Sequence, residues 1–160
     1  MYLRGTNMKN ELVINILNYI DNCIYSKISI DELSNIFNFN KDYIMRVFKK
    51  EINMTIIEYI NKRRIYNSLE SLQSTNNLIL NIAINHGFVS QEYYTEIFIK
   101  YIGVNPITYR KFIKRDINIK EEEISTIRKN ITDIKYSLDN IDNYKKIIKE
   151  EKVIKLSIFK

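Results

Sequence analysis

The 160-residue sequence has only three Gly, one Pro, one Cys and no Trp. Because Cys23 is the single cysteine, no internal disulfide can form, and a small secreted fold held together by disulfides is excluded. His86 is the single histidine, so the chain lacks a set of His and Cys ligands for a metal, and it also lacks a Gly-rich phosphate loop. We therefore expect neither an enzyme nor a bound metal or cofactor.

Long hydrophobic runs are missing as well. No stretch of about 18 uninterrupted apolar residues occurs, and the N-terminus has no apolar signal segment, so the sequence predicts no membrane span and a cytoplasmic protein. Hydrophobic residues still make up 45% of the chain, which is enough for a buried core in one domain or in two small ones.

The charge is positive and unevenly placed. The formal net charge is +6; residues 1–115 hold 15 Lys and Arg against 10 Asp and Glu, whereas residues 116–160 hold 10 against 9. A basic surplus attracts polyanions such as nucleic acid or an anionic membrane, and it does not choose between them. If a polyanion binds, the first 115 residues are the better candidate.

Apolar residues recur three and four positions apart along the chain, and this period predicts an all-α fold. Capping boxes, in which a hydroxyl and a carboxylate three residues later bond to the backbone, begin helices at Ser29–Glu32 and Thr55–Glu58. The first helix is marked by Leu12, Ile16, Leu17 and Ile20. Later helices are predicted at about 56–73, 78–86, 91–101 and 107–114.

The chain uses one structural unit twice. Phe48 recurs as Phe98, 50 residues later, with other apolar positions in register around it. Each unit consists of a short helix, a tight turn and a second helix, which is a helix–turn–helix. The two units cover about residues 30–51 and 78–101. Four tyrosines recur with this framework and are predicted to be core residues: Tyr43, Tyr59, Tyr93 and Tyr109.

The scarce glycines fall at matching places in the two units. Gly87 and Gly103 align with Asn38 and Asn53. Gly adopts positive φ most easily and Asn is among the best of the other residues, so left-handed backbone is predicted at both places in both units. Pro106, the only proline, suits the first position of the helix that follows.

The second helix of a helix–turn–helix can enter the major groove of DNA, so its outward polar residues are candidate DNA contacts. Arg46 is the best candidate for reading a base, because a guanidinium pairs with two acceptors on guanine. Asn40 and Ser90 are predicted N-caps that leave backbone amides near a phosphate. The candidates are Asn40, Lys41, Asp42, Met45, Arg46, Lys49 and Lys50 in the first unit, and Ser90, Gln91, Glu92, Thr95, Glu96 and Lys100 in the second.

A signature runs through the second unit: Gly87-Phe88, Ser90, Tyr94, Phe98, Gly103, Pro106 and Tyr109-Arg110. With it, residues 10–113 resemble the DNA-binding region of the AraC/XylS family of bacterial transcription regulators. The resemblance implies a seven-helix domain at 1–115, in which a linker helix at about 56–73 joins the two units. It also implies that the two recognition helices enter successive major-groove segments on one face of double-stranded DNA, about 34 Å apart. RNA polymerase is a further candidate partner, and activation is the candidate mode of regulation.

Three carboxylates on the recognition helices, Asp42, Glu92 and Glu96, are unusual for such a reader, since family members often carry basic or amide residues at the last two positions. Acidic groups repel phosphate, although they accept from the cytosine amino group. They leave open an alternative, an interaction protein whose units no longer read DNA and which acts through its C-terminal helix. Arg64 matches a position where the family usually keeps Arg, and we expect it to serve packing rather than DNA contact.

Residues 116–160 lie outside the family domain and are predicted to form a long helix, capped by Asn118–Glu121. Its apolar residues form a coiled-coil-like seam. Self-association through residues 118–150 is the favoured use of this seam, and the DNA-binding domain's own surface or another protein are the alternatives. Val153–Phe159 is expected to be a short strand or an extended end. The seam residues are Ile124, Ile127, Ile131, Ile134, Leu138, Ile141 and Ile148.

Only about ten residues precede the first predicted helix, so we expect no N-terminal sensor domain. Activity would then be set by the abundance of the protein or by assembly through the tail. The sequence as a whole predicts a sequence-specific DNA-binding transcription regulator.

Overall fold

The computed structural model describes the backbone of residues 2–158 and the side chains of residues 8–158. Over this range the chain forms helices and no strand, which confirms the all-α prediction. No helix in the range combines the length and the hydropathy that crossing a bilayer requires. The helices are α1 (Tyr2–Asn22), α2 (Ile30–Phe37), α3 (Lys41–Ile52), α4 (Ile56–Ser74), α5 (Ile79–Asn85), α6 (Gln91–Ile102), α7 (Pro106–Ile113) and α8 (Glu121–Ile158).

The predicted capping boxes begin α2 and α4. The backbone N–H of Glu32 donates to Ser29 Oγ at 3.1 Å, and the N–H of Ser29 donates to the Glu32 carboxylate at 3.4 Å. Thr55 and Glu58 exchange the same two bonds at 3.1 Å and 2.7 Å. Because each pair satisfies two backbone groups that a helix end leaves open, these two starts are determined locally.

The two ends of the chain differ from the predictions. Helix α1 already begins at Tyr2, and α8 continues to Ile158, so the predicted strand or extended end at 153–158 is wrong; Phe159 lies outside the described residues. The cap of α8 is also displaced from Asn118, because the Glu123 carboxylate accepts from the N–H of Lys120 at 3.3 Å. No Gly or Pro follows Glu121, so nothing local ends the helix once it has formed.

The chain folds as two compact units. The first consists of Met1–Cys23, Ile28–Tyr59 and Leu138–Lys160, and the second of Ile24–Lys27 and Ile60–Ser137. Helices α2 and α3 therefore belong to the first unit, and α5 and α6 belong to the second. Helices α4 and α8 contribute to both, so the residues of the tail are divided between the two units.

The core of the first unit is apolar, and one acidic group is held at its margin. Tyr59 is buried and its hydroxyl donates to Asp21 at 2.6 Å, while Lys145 of α8 forms an ion pair with the same carboxylate at 2.6 Å. These bonds tie α4 and α8 to the end of α1. The core side chains include Val13, Ile16, Leu17, Ile20, Leu33, Ile44, Phe48, Leu138 and Ile141.

In the second unit a buried arginine organises the backbone. Arg64 donates to the carbonyls of Ile24 and Ser26 at 2.7 Å each and to that of Gly87 at 2.8 Å. Burial lowers the pKa of this guanidinium, and three carbonyl acceptors offset that cost. Arg64 is therefore a structural residue, as expected. The buried apolar side chains of this unit include Ile65, Leu72, Ile82, Phe88, Tyr94, Phe98, Ile102 and Tyr109.

Only two of the four recurring tyrosines are core residues. Tyr59 and Tyr109 are buried, whereas Tyr43 and Tyr93 are half-buried. In each recognition helix, the residue that directly follows the half-buried tyrosine is buried. In the second helix–turn–helix this residue is Tyr94. The prediction for Tyr43 and Tyr93 is thus wrong, because an aromatic ring at the edge of a helix's apolar face can satisfy the same sequence period.

The tail seam is largely covered by the chain itself. Ile127 and Ile134 in the second unit, and Leu138 and Ile141 in the first, are only 1–3% exposed. Of the three predicted partners for the seam, the structure therefore agrees with the DNA-binding domain's own surface. A seam so buried cannot pair as a whole with the tail of another subunit; only Ile124, Ile131 and Ile148 keep partial exposure.

Candidate nucleic-acid interface

The first helix–turn–helix is formed by α2 and α3. Asn38 ends α2 in the left-handed conformation, with φ 55°, as the alignment of Asn with Gly predicted. Ser34 Oγ of α2 donates to the carbonyl of Phe39 at 2.7 Å and so closes the turn. Asn40 then caps α3 by accepting from the N–H of Asp42 at 2.8 Å. The turn therefore sets the direction in which α3 leaves it.

Helix α3 has one buried face and one exposed face. Its buried side chains are Ile44, Val47, Phe48 and Ile52. All seven contacts predicted for the first helix–turn–helix are exposed: Asn40, Lys41, Asp42, Met45, Arg46, Lys49 and Lys50. The structure thus places this whole predicted set on one accessible surface.

Charges on α3 follow the helix dipole. Asp42 lies in the first turn, where a carboxylate is favoured, and Lys49 and Lys50 lie in the last turn, where cations are favoured. Lys41 forms an exposed ion pair with Asp31 of α2. Asp42 therefore has a structural reason for its place, and it need not be read as a base-contacting group.

Arg46 is supported by an aromatic pair that the sequence analysis did not identify. Its guanidinium carbon lies 5.7 Å from the centroid of the Tyr43 ring, within cation–π range. Tyr43 in turn stacks on Phe39, with centroids 5.3 Å apart and an interplanar angle of 19°. The signal available in the sequence was the three-residue spacing of Tyr43 and Arg46, which makes the two side chains neighbours on a helix.

The second helix–turn–helix is formed by α5 and α6. Gly87 follows α5 with φ 82°, and the N–H of Phe88 donates to the carbonyl of Ala83 at 3.0 Å, as in a Schellman turn. A Cβ on Gly87 would lie 2.9 Å from the Arg64 guanidinium carbon and 3.0 Å from the Cα of Tyr25. Glycine is therefore required here by both backbone angle and space.

Helix α6 presents fewer of its predicted contacts than α3 does. Ser90 caps it, accepting from the N–H of Tyr93 at 3.1 Å. Glu92, Glu96 and Lys100 are exposed, but the other predicted residues, Ser90, Gln91 and Thr95, are half-buried. The reason is tertiary: Gln91 and Thr95 line a groove of about 410 Å³ that the start of α7 also lines.

The outward faces of the two recognition helices differ in charge. At an offset of 50 residues, Arg46 corresponds to Glu96 and Lys49 to Ile99, which is 45% exposed. Helix α3 can therefore donate to guanine and to phosphates, whereas α6 offers carboxylates that can only accept. Ile99 is not among the contacts predicted from the sequence.

No group of three or more His, Cys, Asp or Glu that could hold a metal ion occurs in the part of the chain that the structure describes.

Comparison with known proteins supports the presence of a helix–turn–helix domain in this chain. Residues 33–111 match a family model described as a helix-turn-helix domain. The chain is 36% identical over 106 residues to an uncharacterized HTH-type transcriptional regulator of Bacillus subtilis, YbfP; the match covers 66% of this chain and 36% of that protein. It is 31% identical over 107 residues to the HTH-type transcriptional activator AarP of Providencia stuartii, covering 67% of this chain and 79% of that one.

Superposition on solved structures also indicates this kind of protein. The C-terminal domain of AraT, a response regulator from Geobacillus stearothermophilus, superimposes with a TM-score of 0.60 and 28% identity, covering 69% of this chain and 88% of that one. Three observations agree: each helix–turn–helix has a left-handed residue after its first helix, the family model covers parts of both, and the relatives are themselves regulators. The chain belongs to the AraC/XylS family of DNA-binding transcription regulators, with its two helix–turn–helix units as the DNA-binding part.

Proposed function

We propose that the protein binds double-stranded DNA sequence-specifically by inserting α3 and α6 into successive segments of the major groove. The observation that carries the proposal is α3, a helix that is capped at its start and packed along one face, and that exposes six candidate contact residues beside its exposed cap Asn40. Such a helix matches the recognition element of helix–turn–helix proteins.

The proposed roles follow from the side-chain chemistry. Arg46 reads guanine through two donors, and Lys41, Lys49 and Lys50 neutralise phosphates. Glu92 and Glu96 accept from cytosine amino groups, which makes α6 selective against bases that present only acceptors. The contact set of α3 is completed by Asn40, Asp42 and Met45, and that of α6 by Ser90, Gln91, Thr95 and Lys100.

Selection of bound fragments from random DNA, followed by footprinting, tests this proposal. We expect two protected segments about 10–10.5 base pairs apart and an affinity that falls steeply with salt, because bound lysines and arginines release counterions. A single protected segment would remove α6 from the interface. No salt-dependent binding at all would favour an interaction protein that acts through its C-terminal helix.

Activation of transcription is the proposed outcome of binding. The Providencia stuartii relative is named a transcriptional activator, and a DNA-bound activator in the cytoplasm works by contacting RNA polymerase. Transcription in vitro from a selected operator, with and without the protein, decides the sign of the effect. A drop in transcript would reverse the proposal and make the protein a repressor.

Self-association through residues 118–150 stays a prediction. The burial of most of the seam argues for a weak contact or none, since few apolar side chains there are left to pair. Light scattering on the full chain over a range of concentrations measures its mass. A monomeric mass at every concentration would rule self-association out.

A further inference from the structure

A cleft lies between α1 and the C-terminal part of α8, within the first unit. Its volume is about 780 Å³, which falls in the range of small-molecule sites. Neither helix–turn–helix contributes a lining residue. The cleft therefore has no role in the proposed DNA contacts.

The inner part of the cleft is apolar. Ile14 of α1 and Ile148 of α8 line it and are half-buried. Leu156, which comes two turns of helix after Ile148, continues the same wall and is 60% exposed. A leucine left so open beside a cavity loses the stabilisation that a covering apolar group would provide.

The rim of the cleft is cationic. Five lysines and two glutamates line it. Lys152 is paired with Glu11 at 3.0 Å, and Lys145 with Asp21 at 2.6 Å, so two ion pairs link α8 to α1. Lys146, Lys149 and Lys155 form no ion pair with any residue from 8 to 158, and neither does Glu151. The unpaired lining residues are therefore three lysines and one glutamate, so their net charge is positive.

We propose that this cleft binds a monomeric amphipathic carboxylate. Its hydrocarbon part lies against Ile14, Ile148 and Leu156, and its carboxylate accepts from Lys149 or Lys155. A neutral ligand would leave the lysines without a partner, and a cationic one would be repelled by them. Because the occupant contacts both α1 and α8, its binding stabilises the folded chain by mass action.

An anionic membrane surface fits the same segment less well. A helix that lies on a membrane gathers its apolar residues on one face. The exposed apolar residues Ile147, Ile154 and Ile158 lie about 160–180° around α8 from Leu156. The apolar residues near the end of α8 therefore divide between two faces, and only one of them lines the cleft.

Titration of dodecanoate, kept below its micelle concentration, into the full chain tests the proposal by calorimetry. We expect saturable binding of one molecule per chain and a rise in the thermal unfolding midpoint. Dodecanol should bind at least about tenfold more weakly, since it lacks the charge that accepts from lysine. No saturable binding, or equal affinity for the alcohol, would overturn the proposal.

Two matched double variants locate the site. Lys149→Gln with Lys155→Gln should weaken dodecanoate binding by about tenfold or more, whereas Lys111→Gln with Lys120→Gln should leave it unchanged. All four lysines are exposed, so both variants should fold, which circular dichroism checks. Equal loss in the two variants means non-specific attraction and rejects the cleft. Binding to phosphatidylglycerol vesicles without binding to monomeric dodecanoate would also reject the cleft.

Discussion

At the scale of single residues, Arg46 combines exposure with a fixed support. Replacing it with Ala should relax preference at one base pair and cost about 1–3 kcal/mol of specific binding. Lys49→Ala, the matched control on the same helix, should weaken binding to all sequences alike and reduce the salt dependence. Fluorescence anisotropy on operators that differ at one position measures both. If the two variants behaved alike, the assignment of base reading to Arg46 would be wrong.

Tyr43 is a positioning residue in this scheme, because its ring contacts Arg46 and it is not one of the proposed DNA contacts. Tyr43→Phe keeps the ring that supports the guanidinium and should preserve the base preference. Tyr43→Leu keeps an apolar side chain but loses the cation–π contact, worth about 0.5–1 kcal/mol at an exposed site. We expect the Leu variant to lose discrimination at the Arg46 base more than affinity for unrelated DNA. An unchanged preference would limit Tyr43 to packing.

The single histidine makes stability depend on pH. His86 is buried; Ser71 Oγ lies 3.1 Å from its Nε2, and its Nδ1 has no hydrogen-bond partner. Burial, and then the nearby Arg64 guanidinium, lower the pKa of His86 below its ordinary 6.5. As the pH falls, the histidine of the unfolded chain therefore binds a proton at a higher pH than the histidine of the folded chain does. The stabilisation is complete above about pH 6.5 and is lost as the pH falls towards the lowered pKa.

Urea unfolding at pH 7.5 and pH 5.5 measures this loss. The wild type should be less stable at pH 5.5, and His86→Gln should show a smaller difference between the two pH values. An equal difference in both proteins would mean that other groups, such as carboxylates, cause the pH dependence.

At the scale of elements, each helix–turn–helix depends on one left-handed residue after its first helix. A β-carbon in this conformation costs about 1–2 kcal/mol. Gly87→Ala incurs that cost and also creates a steric clash, since the new Cβ would lie 2.9 Å from the guanidinium carbon of Arg64. Asn38→Gly, by contrast, should change the free energy of unfolding by less than about 0.5 kcal/mol. Chemical denaturation compares them, and equal effects would show that Arg64 moves aside freely.

The elements also show how far local signals reach. The helix starts at Ser29, Thr55 and Ser90 and the left-handed residues Asn38 and Gly87 were predictable, because the groups that satisfy them lie within a few residues. The half-burial of Gln91 and Thr95 was not, since it depends on α7. The continuation of α8 past Val153 was missed because β-branched residues favour strands locally, whereas an uninterrupted helix simply extends.

At the scale of the whole molecule, α8 belongs to the core of both units. Ile141→Ala should lower the free energy of unfolding by about 2–5 kcal/mol, because it leaves a cavity. Ile147→Ala, on the same helix but 53% exposed, should change it by less than about 0.5 kcal/mol. Thermal or chemical unfolding of the two variants compares them. Equal small effects would mean that α8 is detached in solution.

The order of the amino acids was enough to predict the family, the helix–turn–helix repeat, the caps and the turn residues, because each rests on bonds between residues close together in the chain. The folded chain was needed to reveal the use of the tail seam, the support of Arg46 by Phe39 and Tyr43 and the cleft between α1 and α8. An apolar stripe shows that a helix must be covered, but not by what. The cover is chosen by contacts between residues as far apart as Asp21 and Lys145, and no local period encodes that pairing.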